Sequence, residues 1–152
     1  MTLKMRVEKD FKEFIALLNK NKVRYLIAGS FAYSYYAEPR YTKDIDILIE
    51  ASDTNAQKLL TAIKVFGFTD IGLGSDDFLE PEQVIQLGIE PLRIDLLTSL
   101  KGIDFKSAWK NRNPGRYGDI TAFFISKADL IKGKKASGRK QDLADIEKLE
   151  KI

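Results

Sequence analysis

Short apolar runs alternate with amphipathic stretches along the whole chain. Runs rich in β-branched residues predict strands at 23–28, 43–50, 84–89, 92–98 and 120–125. Helical spacing or capping signals predict helices at 7–18, 31–36, 53–66, 101–111, 126–138 and 140–150. In this scheme Asp53 is the N-cap of the third helix and Gly67 ends it, while 38–40, 71–77 and 112–117 are loops. Glu90-Pro91 joins the third and fourth strands as a hairpin.

This order of elements predicts a mixed β-sheet with helices packed on it, an α/β (α+β) fold. The chain has 152 residues, 44% of them hydrophobic, and shows no repeat, low-complexity tract or long linker. A chain of this size suits one modest core. The sequence therefore predicts a single domain spanning residues 1–152.

The composition limits the chemistry. With no cysteine and no histidine, the chain cannot form disulfides, thiolate sites or a Ser-His-Asp triad. Any bound metal must be held by oxygen atoms, which favours Mg²⁺, with Mn²⁺ or Ca²⁺ as alternatives. The charged start and the lack of a long apolar run predict a cytoplasmic protein that does not use a membrane as partner.

Three aspartates within the predicted strands are the main candidates for a functional site. Asp44 and Asp46 lie at i and i+2 of one strand and so share a face, and Asp95 lies in another apolar run. Buried carboxylates that converge repel one another unless a cation compensates them. The pattern predicts a metal site.

Asp44 and Asp95 each also have a simpler explanation, a structural ion pair. Asp44 could pair with Lys43 or Arg40, and Asp95 could pair with Arg93, which lies two residues away on the same strand face.

Gly29-Ser30 marks a strand-to-helix junction. Glycine permits a tight turn and a close approach of the backbone, and the helix that follows presents N–H groups suited to phosphate. The alternative is that Ser30 is simply the N-cap of that helix.

Residues 127–140 carry six positive side chains against Asp129 alone. Such a segment indicates an anionic partner such as phosphate, nucleotide or RNA. A solvated basic surface explains the same composition. Within the helix that follows, Asp142 could cap the helix and Asp145 could pair with Lys148 or Lys140.

Taken together, these motifs resemble the signature of the nucleotidyltransferase-fold superfamily. The signature elements are Leu26-Ile27-Ala28-Gly29-Ser30, then Asp44-Ile45-Asp46, then Ile94-Asp95-Leu96. The tail, with Asp129-Leu130-Ile131, Lys134, Gly138-Arg139 and Lys140-Gln141-Asp142, is similar to the small AbiEii-like prokaryotic members. The resemblance covers about 23–149.

The resemblance implies transfer of a nucleoside monophosphate from an NTP to an acceptor hydroxyl, with Mg²⁺ (or Mn²⁺) as cofactor. Asp44, Asp46 and Asp95 match the catalytic, metal-binding acids, and Asp95 also matches a general base. Gly29 and Ser30 match the triphosphate-binding pair. Further candidates for contact with the nucleotide or its phosphates are Thr42, Lys43, Lys134 and Arg139.

The sequence leaves the acceptor open. No second domain of the kind that larger polymerases use is present, so either the acceptor is small, or a homodimer or partner chain completes the site, with RNA or protein as candidate acceptors. Two further hypotheses remain. One is a silent nucleotide- or RNA-binding module or a component of a toxin–antitoxin-type pair, and the other is a metal-free structural domain.

Overall fold

The computed structural model describes residues 7–68, 72–88 and 92–152 and contains a six-stranded mixed sheet. The strands are β1 Tyr25–Ala28, β2 Asp44–Ile49, β3 Val84–Leu87, β4 Arg93–Leu97, β5 Asn113–Tyr117 and β6 Ile120–Phe124. The helices are α1 Lys9–Lys20, α2 Gly29–Tyr36, α3 Asp53–Phe66, α4 Phe105–Lys110, α5 Lys127–Ser137 and α6 Lys140–Glu150. The strand order is β3-β4-β2-β1-β6-β5, which confirms the predicted mixed sheet flanked by helices.

The two central strands are the most deeply buried part of the sheet. All four residues of β1 are buried, and β2 buries Ile45, Ile47, Leu48 and Ile49. Strand β2 runs antiparallel to β1 and parallel to β4, while β1 runs parallel to β6. A side chain on β2 therefore has neighbours on both sides, which fixes its position in the sheet.

The helices cover the sheet as their apolar spacing predicts. Helix α1 buries Phe11, Phe14, Ile15 and Leu18, the residues at helical spacing, and packs on α3 and β6. Helix α2 packs on β1 and β2, and it also contacts α5 and α6. This last contact brings the C-terminal helices beside the start of α2.

Local capping signals are confirmed at both ends of α5. The Ser126 hydroxyl accepts a hydrogen bond from the Asp129 amide at 3.0 Å, and Gly138 ends the helix in the left-handed region at φ 67°. At α3 the expected N-cap was wrong by one residue. Ser52, rather than Asp53, accepts the hydrogen bond from the Asn55 amide, at 3.2 Å. Gly67 ends α3 as predicted.

Two predicted loops contain regular structure. The segment 112–117 holds strand β5, although Pro114 and Gly115 both disfavour a strand. The strand forms because β5 lies at an edge of the sheet and pairs with β6, and proline is tolerated at an edge. In the second predicted loop, 71–77, a short 3₁₀ helix forms over Ser75–Phe78 and so extends one residue beyond it.

The predicted hairpin turn at Glu90-Pro91 lies outside the described residues, but β3 and β4 do pair antiparallel.

In the described part of the chain, none of the helices combines the length and apolar character needed to cross a membrane.

Asn55 links the ends of the two central strands, and its loss should destabilise the fold. Its buried side chain accepts from the Arg24 amide at 2.8 Å and donates to the carbonyl oxygens of Arg24 at 3.1 Å and Glu50 at 2.9 Å. Asn55→Ala leaves these backbone groups without partners, so we expect a loss of about 2–3 kcal/mol in the free energy of unfolding. Urea denaturation measures this change.

Asn111→Ala is the matched control for that variant. The Asn111 side chain is exposed and makes one long hydrogen bond, 3.4 Å, to Asp129. Its removal should cost less than about 0.5 kcal/mol. Equal losses in the two variants would contradict the role assigned to Asn55.

Candidate active site

The three predicted acids come together on one face of the sheet. Strands β2 and β4 pair in parallel register, with Asp44 opposite Arg93 and Asp46 opposite Asp95. Because side chains alternate along a strand, these four residues project from the face opposite to Ile45. The Asp95 side chain is buried, while Asp44 and Asp46 are half-buried.

Arg93 lies between two of the acids. Its Nε and Nη2 donate to Asp95 Oδ1 and Oδ2 at 2.8 and 3.1 Å, and Nη2 also donates to Asp44 Oδ2 at 2.9 Å. The pair expected for Asp95 therefore forms. Asp44 pairs with Arg93 rather than with Lys43 or Arg40, because the parallel register brings Arg93 directly opposite.

The carboxylate oxygens of the three aspartates are suitable ligands for a hard divalent cation, although some of them already accept hydrogen bonds from Arg93. Within residues 7–68, 72–88 and 92–152, no group of three or more Asp, Glu, His or Cys side chains converges closely enough to hold a metal ion. The convergence expected from the sequence is thus incomplete, since a guanidinium separates Asp44 from Asp95. One oxygen, Asp44 Oδ1, is buried and lacks a hydrogen-bond partner among the described residues. An unpartnered buried carboxylate oxygen is a fitting ligand for Mg²⁺.

The surroundings of Asp46 perturb its acidity. Burial raises its pKa to about 6, and the negative charges of Asp95 and Asp44 act in the same direction. The positive charges of Arg93 and Arg139 oppose this shift. Burial and the neighbouring acids therefore disfavour the ionised form of Asp46. A bound cation would stabilise that ionised form.

Gly29 lets the backbone approach Asp46. It begins α2 with φ 59°, in the left-handed region, and a Cβ atom there would overlap Asp46 Oδ2. The positive φ and the lack of space for a Cβ atom both exclude larger residues. The close approach predicted for this glycine is met, and what it approaches is a carboxylate.

Ser30 does not cap α2, so the simpler explanation of this residue was wrong. The N-cap position is Ala28, which has no side chain able to cap. The first amide groups of α2 therefore have no side-chain cap and no intrahelical acceptor. They lie beside the carboxylate of Asp46, at a helix end suited to an anion.

Thr42 stabilises the start of β2 through two hydrogen bonds to the backbone of Asp44. Its hydroxyl donates to the Asp44 carbonyl at 3.1 Å and accepts from the Asp44 amide at 3.3 Å. The Lys43 side chain is exposed, and its carbonyl accepts from the Arg93 amide at 3.1 Å. Both residues thus hold the backbone that carries Asp44.

A cavity of about 210 Å³ lies between Asp46 and the C-terminal helices. Gly29 and Asp46 line one side, and Lys134 and Arg139 line another. The remaining wall is largely apolar and includes Leu100, Ile103, Ile125 and Leu130. The lining thus combines carboxylates, the three cations of Lys101, Lys134 and Arg139, and an apolar surface, which suits a ligand with anionic and apolar parts.

Asp142 and Asp145, for which the sequence suggested a helix cap and a pair with Lys148 or Lys140, are both buried, and Asp142 lines this cavity. The Lys134 ammonium lies 2.8 Å from Asp145 Oδ2 and 3.5 Å from Asp142 Oδ1. Arg40 binds both oxygens of Asp145, at 2.5 and 3.1 Å, and Arg139 Nε binds Asp142 at 2.9 Å. Asp142 does not cap α6, and Asp145 does not pair with Lys148 or Lys140.

The ion pairs keep Asp145 charged. Burial alone would raise its pKa, but hydrogen bonds from Arg40, Lys134 and Gln141 hold the pKa well below its ordinary value. The partner Arg40 precedes β2 and lies 105 residues away in sequence. No local signal could have revealed this contact.

The basic segment 127–140 is partly neutralised by the chain itself. Lys135 pairs with Glu150 at 3.3 Å, Lys127 donates to the Ile152 carbonyl at 2.6 Å, and Lys134 and Arg139 pair with the α6 aspartates. The folded segment therefore presents less positive charge than its composition indicates.

Gly29→Ala should destabilise the protein more than the same change at a comparable glycine. Gly138 has a similar φ of 67°, but a Cβ there would make only an ordinary 3.9 Å contact with the Lys135 carbonyl. Gly138→Ala should cost about 1 kcal/mol from backbone strain, and Gly29→Ala at least about 2 kcal/mol because Asp46 must also move. Thermal and urea denaturation of both variants measure the difference, and equal costs would argue against the close contact.

Asp46→Asn should stabilise the metal-free protein at alkaline pH. Since folding raises the pKa of Asp46 to about 6, its ionisation disfavours the folded state above that pH. We expect a gain of up to about 3 kcal/mol in the free energy of unfolding at pH 8, shrinking as pH falls from 6 to 4. Urea denaturation in EDTA at both pH values measures it.

Asp76→Asn makes the same isosteric change at an exposed aspartate and is the control for Asp46→Asn. It should leave stability nearly unchanged at both pH values. A pH-independent effect at Asp46 would show that its carboxylate is not destabilised by burial.

Comparison with known proteins gives a match at the level of structure. No protein-family model matches this chain, and no curated protein sequence matches it. Among solved structures, it is similar to the lincomycin-bound crystal structure of the lincosamide antibiotic adenylyltransferase LnuA, with a TM-score of 0.58 and 18% sequence identity. The alignment covers 98% of this chain and 99% of that one. Together with the mixed sheet and its flanking helices, this similarity shows that the chain has the nucleotidyltransferase fold.

Proposed function

We propose that this protein is a metal-dependent nucleotidyltransferase that transfers a nucleoside monophosphate from an NTP to an acceptor hydroxyl. The observation that carries the proposal is the juxtaposition of Asp46 with the start of α2 at Gly29, with Asp95 in register beside it. This arrangement sets carboxylates next to an uncapped helix N-terminus. A metal–triphosphate complex needs both features, oxygen ligands for the cation and donors for the phosphates.

The chain offers donors on two sides of the cavity for the triphosphate. The N–H groups at Gly29 and Ser30 form one side, and the cations of Lys134 and Arg139 form the other. The α6 aspartates fix Lys134 in place, so its position does not depend on the nucleotide. Thr42 and Lys43 act by holding the backbone before Asp44.

In the proposed reaction, the acceptor oxygen forms a bond to the α-phosphorus, and the bond to the bridging oxygen of pyrophosphate breaks. The proton of the acceptor hydroxyl passes to a site carboxylate, for which the family resemblance implies Asp95. Mg²⁺ held by Asp44, Asp46 and Asp95 would neutralise phosphate charge and lower the pKa of the acceptor hydroxyl. The proposed role of the phosphate-binding residues is to align the phosphates, since phosphoryl transfer depends mainly on positioning and on charge neutralisation.

The proposed acceptor is a small hydroxyl-bearing molecule. LnuA, which is named as an antibiotic adenylyltransferase and whose structure is lincomycin-bound, aligns with this chain over 99% of its own length, and this similarity supports an acceptor of comparable size. The AbiEii-like resemblance of the tail points instead to RNA or protein acceptors, and membership of that branch stays a prediction. The internal pairing of the basic segment argues against a broad RNA-binding surface.

A thermal melt with each NTP, with and without Mg²⁺, tests the proposal. We expect the midpoint to rise by about 5–10 °C when nucleotide and Mg²⁺ are present together at about 100 times the Kd. Asp46→Asn should lose this rise because the residue is a proposed metal ligand. Asp76→Asn, changed at an exposed site, should keep it.

The outcomes separate the candidate functions. Stabilisation by NTP that persists in Asp46→Asn, without Mg²⁺, and that weakens steeply with salt would favour a silent binding module on the basic segment. No stabilisation with any NTP would contradict the proposed enzyme.

A further inference from the structure

Four charged side chains form a square on the face of β2 and β4 opposite to Ile45. Asp44 and Arg93 occupy one pair of opposing positions, and Asp46 and Asp95 occupy the next. Opposing and i+2 neighbours on one face lie within reach of each other. The square therefore holds three carboxylates and a single guanidinium.

Arg93 is held firmly in this square by the two carboxylates it separates. Both oxygens of Asp95 accept from it, at 2.8 and 3.1 Å, and Asp44 Oδ2 accepts from the same Nη2 atom at 2.9 Å. A side-on, two-point pair of this kind is among the stronger charge-assisted contacts. The side chain is 29% exposed and Asp95 only 10%, so solvent screens the contact weakly.

The guanidinium binds the oxygens that a divalent cation would use. Asp95 has both oxygens engaged, and Asp44 keeps only the buried Oδ1 without a partner among the described residues. A cation that bound between these acids would meet a positive charge already in place. Two like charges about 4–5 Å apart repel each other even in water, and more strongly where solvent is excluded.

We propose that Arg93 is an internal counter-cation that competes with the divalent cation for Asp44 and Asp95. It stabilises the acids when no metal is bound, and it keeps the affinity for metal low until nucleotide arrives. The triphosphate then supplies the negative charge that draws the guanidinium away from Asp44. This inference rests on the proposed function, but its test does not require turnover.

Binding of Mn²⁺ in the absence of nucleotide tests the competition directly. Electron paramagnetic resonance titration should give a Kd about tenfold lower, or lower still, for Arg93→Gln than for the native protein, because the repelling charge is gone. Arg93→Lys keeps the charge and should stay within about threefold of the native value. Arg24→Gln is the matched control, since it also removes one arginine from an ion pair, with Glu50 at 3.2 Å, at the far end of β2.

Stability measurements add an independent readout. Without metal, Arg93→Gln should melt below the native protein because Asp44 and Asp95 lose the cation that pairs with both of them. Mn²⁺ should raise its midpoint more than it raises that of Arg24→Gln. If Arg93→Gln binds Mn²⁺ no more tightly than the native protein, the competition is refuted.

A measurement on the native protein covers the case in which Arg93→Gln does not fold. The ¹⁵N resonance of the Arg93 Nε–H group should shift on titration with Mg²⁺ and a non-hydrolysable ATP analogue, whereas that of Arg24 should not. An unmoved Arg93 resonance, while the metal–nucleotide complex binds, overturns the inference and leaves the proposed function intact. Tight Mn²⁺ binding by Arg93→Gln with no nucleotide binding by any form would overturn the proposed function and the release of Arg93 by nucleotide, but would uphold the competition between Arg93 and the cation.

Discussion

The parallel pairing of β2 with β4 is the constraint on which the candidate site depends. It places Asp46 beside Asp95 and Asp44 beside Arg93, and the antiparallel pairing of β2 with β1 fixes the other edge. A slip of one residue would turn the aspartates toward the apolar core and expose the isoleucines. The burial of Ile45, Ile47 and Ile49 therefore determines where the carboxylates point.

Two clusters of charge lie on either side of the cavity, and their balance of charge is opposite. Carboxylates outnumber cations in the first, and cations outnumber carboxylates in the second. In the first, three carboxylates of the sheet share Arg93. In the second, Asp142 and Asp145 hold Lys134, Arg139 and Arg40. The clusters also act on each other, since Arg139 opposes the rise in the pKa of Asp46. A ligand between them meets oxygen atoms on one side and cations on the other, which matches a metal–triphosphate complex.

The C-terminal helices do more than cover the sheet. Arg40, in the segment that leads into β2, binds Asp145 of α6, and its guanidinium stacks on the Tyr33 ring of α2 at 3.9 Å. The segment before Asp44, helix α2 and helix α6 are thereby tied together. The position of β2 and the position of Lys134 depend on the same buried carboxylate, so a change at Asp145 would disturb both sides of the cavity.

Much of this arrangement follows from the sequence, because local rules govern it. The apolar runs specified the core strands, Ser126 and Gly138 specified the ends of α5, and the spacing of Asp44 and Asp46 put both on one face. Strand β5 was missed since an edge position, which only the assembled sheet defines, is what tolerates Pro114. The sequence by itself determined the fold class, the three acids and the oxygen-only donor set. Only the tertiary structure decided that Arg93 would separate the acids and that Asp145 would bind Arg40, because both contacts join distant segments whose proximity depends on sheet register and helix packing.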